Sequence, residues 1–98
     1  KFNKIKFQES MIVSNEPGYY EKNKFGIRIE NLIYIKKINN KLKFKNLTLA
    51  PIEKDLINFK LLNNKEKKYL NDYHKKTYST INAYLNKKEK NWFKSLIN

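Results

Sequence analysis

Val13-Ser14-Asn15-Glu16-Pro17-Gly18-Tyr19-Tyr20 and, one short polar stretch later, Phe25-Gly26-Ile27-Arg28-Ile29-Glu30-Asn31 decide how this chain is read. Glu16 closes a short apolar run of strand length, Met11 to Asn15, just ahead of a Pro-Gly turn, where proline cannot donate to a ladder and glycine permits φ > 0. Tyr19 and Tyr20 resume an extended course, and Lys22-Asn23-Lys24 forms a polar turn. A longer strand is predicted from Phe25 to Ile35, with a break near Asn31. Strand periodicity places Phe25, Ile27 and Ile29 on one face and Gly26, Arg28 and Glu30 on the other. Strand, turn and returning strand then bring Glu16 and Glu30 side by side inside a sheet. Two buried carboxylates repel unless something positive lies between them. A divalent metal pair, with its ions ~3.5–4 Å apart in hydrolases, is the usual solution. Gly26 leaves room on the polar face for a ligand or another backbone.

Beyond this stretch, Asn39-Asn40 is a hairpin turn, because asparagine tolerates the left-handed conformation. Leu42, Phe44, Leu47 and Leu49 mark the returning strand, ended by Pro51. Ile52 to Leu62 is an irregular connector with apolar anchors at Ile52, Leu56, Ile57, Leu61 and Leu62. Asn63-Asn64 offers an N-cap to a helix whose apolar residues Tyr69, Leu70, Tyr73, Thr77, Ile81 and Tyr84-Leu85 recur at helical spacing. Asn86 interrupts, and Lys87 to Ile97 is a last short helix with Trp92, Phe93 and Leu96 on one side, docking it. His74 has no acidic cluster at metal spacing and is expected at the surface or in helix packing rather than as a ligand.

The chain of 98 residues fits one small domain, and its net charge of +13 requires a reason. Of 22 basic residues only Arg28 is arginine, and the lysines are dispersed among asparagines. Arginine is the preferred reader of phosphate and guanine, so most of the charge is a solvated surface. The absence of cysteine excludes disulfides and thiolate metal sites. No apolar run approaches the ~20 residues that span a bilayer, and there is no signal-peptide core. A soluble, cytoplasmic protein is expected, with any targeting segment upstream. The first residue is Lys1, and Lys1-Phe-Asn-Lys-Ile-Lys-Phe holds no start signal, so a chain processed or excised from a larger one is expected.

Ser14-Asn15-Glu16-Pro17-Gly18-Tyr19-Tyr20-Glu21 and Phe25-Gly26-Ile27-Arg28-Ile29-Glu30-Asn31 resemble the closing strands of the pita-bread metallopeptidase fold. Leu47-Thr48-Leu49-Ala50-Pro51-Ile52, the Leu61-Leu62 step and Tyr69-Leu70-Asn71-Asp72-Tyr73-His74 resemble the C-terminal extension of the long Xaa-Pro aminopeptidases (aminopeptidase P). The resemblance runs from about Met11 to Leu96. It implies an α+β chain in which residues 1–40 end the catalytic domain and residues 41–98 form a small hairpin-plus-helix extension.

The same resemblance implies a centre of two divalent ions, manganese before zinc or cobalt, held by two Asp, one His and two Glu. Glu16 corresponds to the terminal ligand that shares an ion with the His and accepts the water's proton. Glu30 corresponds to the ligand bridging both ions. The two Asp and the His lie upstream in that family. Here Asp55, Asp72 and His74 all fall in the extension, so an upstream segment of the same protein must supply the other ligands. The implied reaction is hydrolysis of the bond between an N-terminal residue and a following proline, by a homodimer; this segment alone is expected to be inactive. Arg28 is expected to orient a metal carboxylate, and Tyr20 to line a proline pocket. The other reading is a basic module with interleaved aromatics (Phe44, Tyr69, Tyr73, Tyr78) that binds nucleic acid or an acidic partner. The resemblance argues against a nucleic-acid or membrane partner.

Overall fold

The computed structural model describes residues 4–97; Lys1 to Asn3, where the opening segment was read, and Asn98 lie outside the described residues. Two compact units divide after Thr48. In the first, strands β1 (Ile12–Asn15), β2 (Gly18–Glu21), β3 (Phe25–Arg28), β4 (Asn31–Ile38) and β5 (Lys41–Asn46) form two sheets, β1-β4-β5 and β2-β3. Every pairing is antiparallel.

The expected strand from Phe25 to Ile35 is two strands, parted at Ile29-Glu30. Even so, the register of β1 on β4 continues without a slip into that of β2 on β3. Ile12 faces Tyr34, Asn15 faces Asn31, Gly18 faces Arg28 and Glu21 faces Phe25. The N–H of Ile29 reaches the carbonyl of Pro17 at 3.2 Å across the gap. The four strands are therefore one long ribbon shared by two sheets.

Asparagine makes both tight returns. Asn23 sits at φ 58° in the β2–β3 turn, which the N–H of Lys24 closes on the Glu21 carbonyl at 3.1 Å. Asn39 and Asn40 adopt φ 49° and 59° and form the two-residue β4–β5 turn expected from the sequence. Positive φ at both central positions matches the right-handed twist of the flanking strands. β5 ends at Asn46, short of Leu47 and Leu49. The Asn46 amide donates to the carbonyl of Thr48, whose hydroxyl accepts the Leu32 N–H at 2.8 Å, so side chains close the sheet there. Ile35 is the buried centre of this unit. Ser10 (φ 69°) and Met11 both bond Ile35, two residues opposite one, which kinks the entry to β1.

The second unit is helical: α1 (Asn64–Ile81) and α2 (Lys87–Ile97), after an irregular connector holding one 3-10 turn, Lys54–Leu56. Both helices open with the same Asn-x-x-Glu device. Asn63 Oδ1 accepts the Glu66 N–H at 3.0 Å while Glu66 accepts the Asn63 N–H at 2.8 Å. Asn86 and Glu89 repeat this at 3.0 and 2.8 Å. Two of the donors left over at each helix start are thus satisfied. Leu70, Tyr73, His74 and Thr77 supply the buried stripe of α1, and Phe93 that of α2. Tyr84 and Leu85 fall beyond α1, in and after a second 3-10 turn. Trp92, expected to dock α2, is 62% exposed; Phe93 is 3% exposed and packs on Tyr78 at 5.5 Å between ring centroids. Neighbours on a helix point about 100° apart, so only one of the two can face the core. Leu56 and Leu61, expected as anchors, are likewise exposed.

The connector is held by α1. The Tyr73 hydroxyl donates to the Ala50 carbonyl at 2.6 Å, and the Ile52 N–H donates to His74 Nε2 at 3.0 Å. Among the described residues, no helix is long and apolar enough to cross a membrane.

Candidate metal centre

The unbroken register of the ribbon puts Glu16 directly across from Glu30. Like charges opposed across a ladder repel, and the cost must be met by a cation. In this structure the cation is Arg28. Its Nη2 lies 3.1 Å from Glu30 Oε2 and its Nε 3.7 Å from Glu16 Oε2. The side chains of Arg28, Glu16 and Glu30 are each between 44% and 48% exposed, so the expected buried pair is here a half-exposed one. Glu30 stands in the break between β3 and β4, and Glu16 in the break between β1 and β2.

Alternation along the ribbon gathers Glu16, Gly18, Tyr20, Gly26, Arg28 and Glu30 on one face. The large residues of this face are accommodated by the small ones. A Cβ built on Gly26 would lie 2.6 Å from Tyr20 Cδ1, and one on Gly18 would lie 2.7 Å from the Tyr20 hydroxyl oxygen. Gly26 does leave room, as its place in the strand suggested, but the room is filled by Tyr20. Gly18 does not take a positive φ; its role is the same clearance. The neighbouring Tyr20, ahead of the charges on Glu16 and Glu30, holds Arg28 above its ordinary pKa.

Ser14 was not singled out in the sequence. Its hydroxyl donates to Glu16 Oε1 at 2.6 Å and leaves Oε2 facing Arg28. Its position two residues before Glu16 in the same extended run was the available signal. On the other face, Tyr19 meets Phe25 with ring centroids 6.0 Å apart, and Pro17, Ile27 and Ile29 line a shallow apolar hollow beside it.

Carboxylate oxygens are the donors that divalent ions such as manganese prefer. Glu16 and Glu30 converge on one positive group, so they fit two places in a ligand set. No group of three or more His, Cys, Asp or Glu is placed to hold a metal among the described residues. His74 is buried, 4% exposed, and acts as a packing residue whose Nε2 is committed to Ile52. Of the aromatics in the nucleic-acid reading, Tyr73 is buried and Tyr78 packs on Phe93, whereas Phe44 and Tyr69 are exposed.

Residues 40–97 match the family model of the C-terminal region of peptidase M24, and residues 1–37 match that of metallopeptidase family M24. The chain belongs to metallopeptidase family M24 and is its C-terminal part. The more particular likeness is to Xaa-Pro aminopeptidases. A putative Xaa-Pro aminopeptidase of Saccharomyces cerevisiae is 49% identical over 77 residues, 76% of this chain and 10% of that protein. A probable Xaa-Pro aminopeptidase P of Pyrenophora teres is 39% identical over 95 residues, 89% of this chain and 14% of that protein. The crystal structure of the X-prolyl aminopeptidase of Caenorhabditis elegans, described as a cytosolic enzyme with a di-nuclear active site, superimposes with a TM-score of 0.76. It is 32% identical, over 94% of this chain and 17% of that one. The α+β arrangement is thus the closing part of a pita-bread fold with its C-terminal extension, and the chain spans less than a fifth of these relatives.

Proposed function

We propose that this chain completes a dinuclear-metal aminopeptidase that releases an N-terminal residue from a following proline. The observation that carries the reading is the opposition of Glu16 and Glu30 on one guanidinium, within a family of metallopeptidases. Glu16 would hold one ion and accept a proton from the attacking water. Glu30 would bridge both ions. Arg28 would fix the orientation of the two carboxylates through its planar fork. The outer face of the Tyr20 ring, 65% of that residue being exposed, would meet the proline of the substrate. The ions, manganese before zinc or cobalt, supply Lewis acidity that lowers the pKa of a water.

In this reading residues 1–40 end the catalytic domain and residues 41–98 are the extension. The remaining ligands, two Asp and one His, come from an upstream segment of the same protein, and residues 1–98 alone are inactive. The complete protein is a cytoplasmic homodimer; the support for its location is the cytosolic nematode relative. The test is cleavage of an X–Pro peptide by the complete protein, with the metal content of the same sample measured by mass spectrometry. Cleavage that persists after full metal removal refutes the proposal.

A further inference from the structure

The helical unit holds a cavity of about 310 Å³ bordered by α1, the connector and the end of α2. Its polar wall is a stripe of α1, where Lys67, Asn71 and His74 follow at the i, i+4, i+7 spacing that stacks side chains on one helix face. Lys54, from the first 3-10 turn, joins them, its ammonium donating to the Ser95 carbonyl at 2.6 Å. Phe59, Leu70 and Ile97 make the remaining wall apolar. The His74 ring is 4% exposed, and its Nε2 accepts the Ile52 N–H. Burial lowers the pKa of the ring, so at neutral pH its one proton sits on Nδ1. That N–H has no acceptor among the described residues. Among the same residues, the fully enclosed side-chain polar atom without a partner is the Thr77 hydroxyl. Nδ1 therefore keeps accessible surface, and the space its ring borders is the cavity. The Lys67 ammonium and the Asn71 amide likewise make no hydrogen bond or ion pair among the described residues.

We propose that this cavity binds a small apolar monocarboxylate, with the carboxylate held by Lys67, Lys54, Asn71 and the Nδ1–H of His74, and the hydrocarbon body lying on Phe59, Leu70 and Ile97. The polar wall offers donors: two ammoniums, an imidazole N–H and an amide nitrogen. Two positive charges select an anion over a neutral polar ligand, and a carboxylate accepts from several donors at once. The apolar wall selects against inorganic anions, which have nothing to bury there. Ligand pockets run from roughly 300 to 1,000 Å³, so this one suits a short fatty acid better than a nucleotide-sized cofactor. Occupancy also reaches the backbone. A carboxylate on Nδ1–H makes the imidazole a better acceptor at Nε2, so the ligand tightens the hold of His74 on Ile52. The proposal does not depend on the metal-centre reading.

The experiment titrates octanoate into the complete protein by calorimetry. The protein is kept metal-free so that no carboxylate is captured by ions at the proposed catalytic centre. Octanol, acetate and free leucine are the comparison ligands, and Lys67→Met and Asn71→Leu the variants. Octanoate is expected to bind saturably at one site. Octanol, lacking the charge, should bind on the order of tenfold more weakly, and acetate, lacking the chain, on the order of a hundredfold more weakly. Leucine should also bind more weakly, because the lysines repel its ammonium. Lys67→Met should weaken octanoate on the order of tenfold and Asn71→Leu about threefold. Hydrogen exchange places the ligand: octanoate should slow exchange of the Ile52 N–H in the native protein, and less so in Lys67→Met at equal concentration. No saturable binding of octanoate, equal binding of octanol or leucine, unchanged affinity in Lys67→Met, or an Ile52 N–H indifferent to the ligand would each overturn the proposal.

Discussion

His74 accepts the N–H of Ile52 through Nε2 at 3.0 Å, from a ring that is 4% exposed. The acceptor nitrogen must be unprotonated, and burial lowers the pKa of His74 from its ordinary 6.5. An unfolded chain takes up the proton first as pH falls, so this contact favours the native state fully above 6.5 and loses its contribution as pH drops through the lower folded value. We expect the Ala50–Ile52 backbone of the complete protein to lose protection from hydrogen exchange between pH 7 and pH 5, after correction for the intrinsic rate. His74→Phe should abolish the pH dependence while weakening protection at every pH, by leaving the Ile52 N–H unpaired. PH-independent protection in the native protein would contradict this.

Thr77 is fully buried on α1, and its hydroxyl has no hydrogen-bond partner among the described residues. A buried polar group without a partner costs free energy that an apolar group of the same shape does not. Thr77→Val should therefore hold or raise stability, by about 1 kcal/mol, in denaturant melts followed by Trp92 fluorescence. A loss of that size would mean that the hydroxyl has a partner in the complete protein.

Glu16→Gln and Glu30→Gln in the complete protein should each abolish X–Pro cleavage while leaving circular dichroism unchanged. The amide keeps the shape and removes the anionic donor. At position 30 a neutral amide bridges two dications poorly, so metal content should fall toward one ion or none. On the proposed roles, the change at position 16 would cost one ion a ligand and the water its proton acceptor, so partial metal retention with very low turnover is expected. Metal counting with turnover on the same samples separates the two. Equal metal loss in both variants would show that their roles do not differ as assigned.

Arg28→Lys should be milder than either glutamate change and still harmful. An ammonium cannot span the 3.1 and 3.7 Å contacts with a planar fork. The expectation is reduced kcat with both ions retained at saturating metal, checked by titrating manganese against turnover. Wild-type turnover in this variant would reduce Arg28 to an exposed ion pair of little consequence.

The family, the hairpin at Asn39-Asn40, the cap at Asn63 and the last helix were all legible in the sequence, because each rests on a local pattern. Period-two alternation also placed Gly26, Arg28 and Glu30 on one face before any coordinates. What it could not supply was the cross-strand partner. The occupant of the space above Gly26 is Tyr20, brought there by a register that the sequence does not state. The choice between Trp92 and Phe93 was beyond it for a related reason. Both are large and aromatic, and the rotation of α2 that buries Phe93 follows from its packing on Tyr78. Alternation gives the face that Glu16 and Glu30 share and says nothing of what covers it.

The ribbon has a consequence for the order in which the centre assembles. Glu16 and Glu30 are joined by a single hairpin, so their meeting is a local event that needs no distant part of the chain. Hairpins of this kind form in about 1–10 μs, long before contacts between remote segments are made. The nascent chain therefore creates a pair of facing negative charges early, at a time when no ion need be bound. Arg28, carried by the same hairpin, arrives with them and offsets one of the two negative charges from the outset. The repulsion that would otherwise work against the closing strands is thereby lessened.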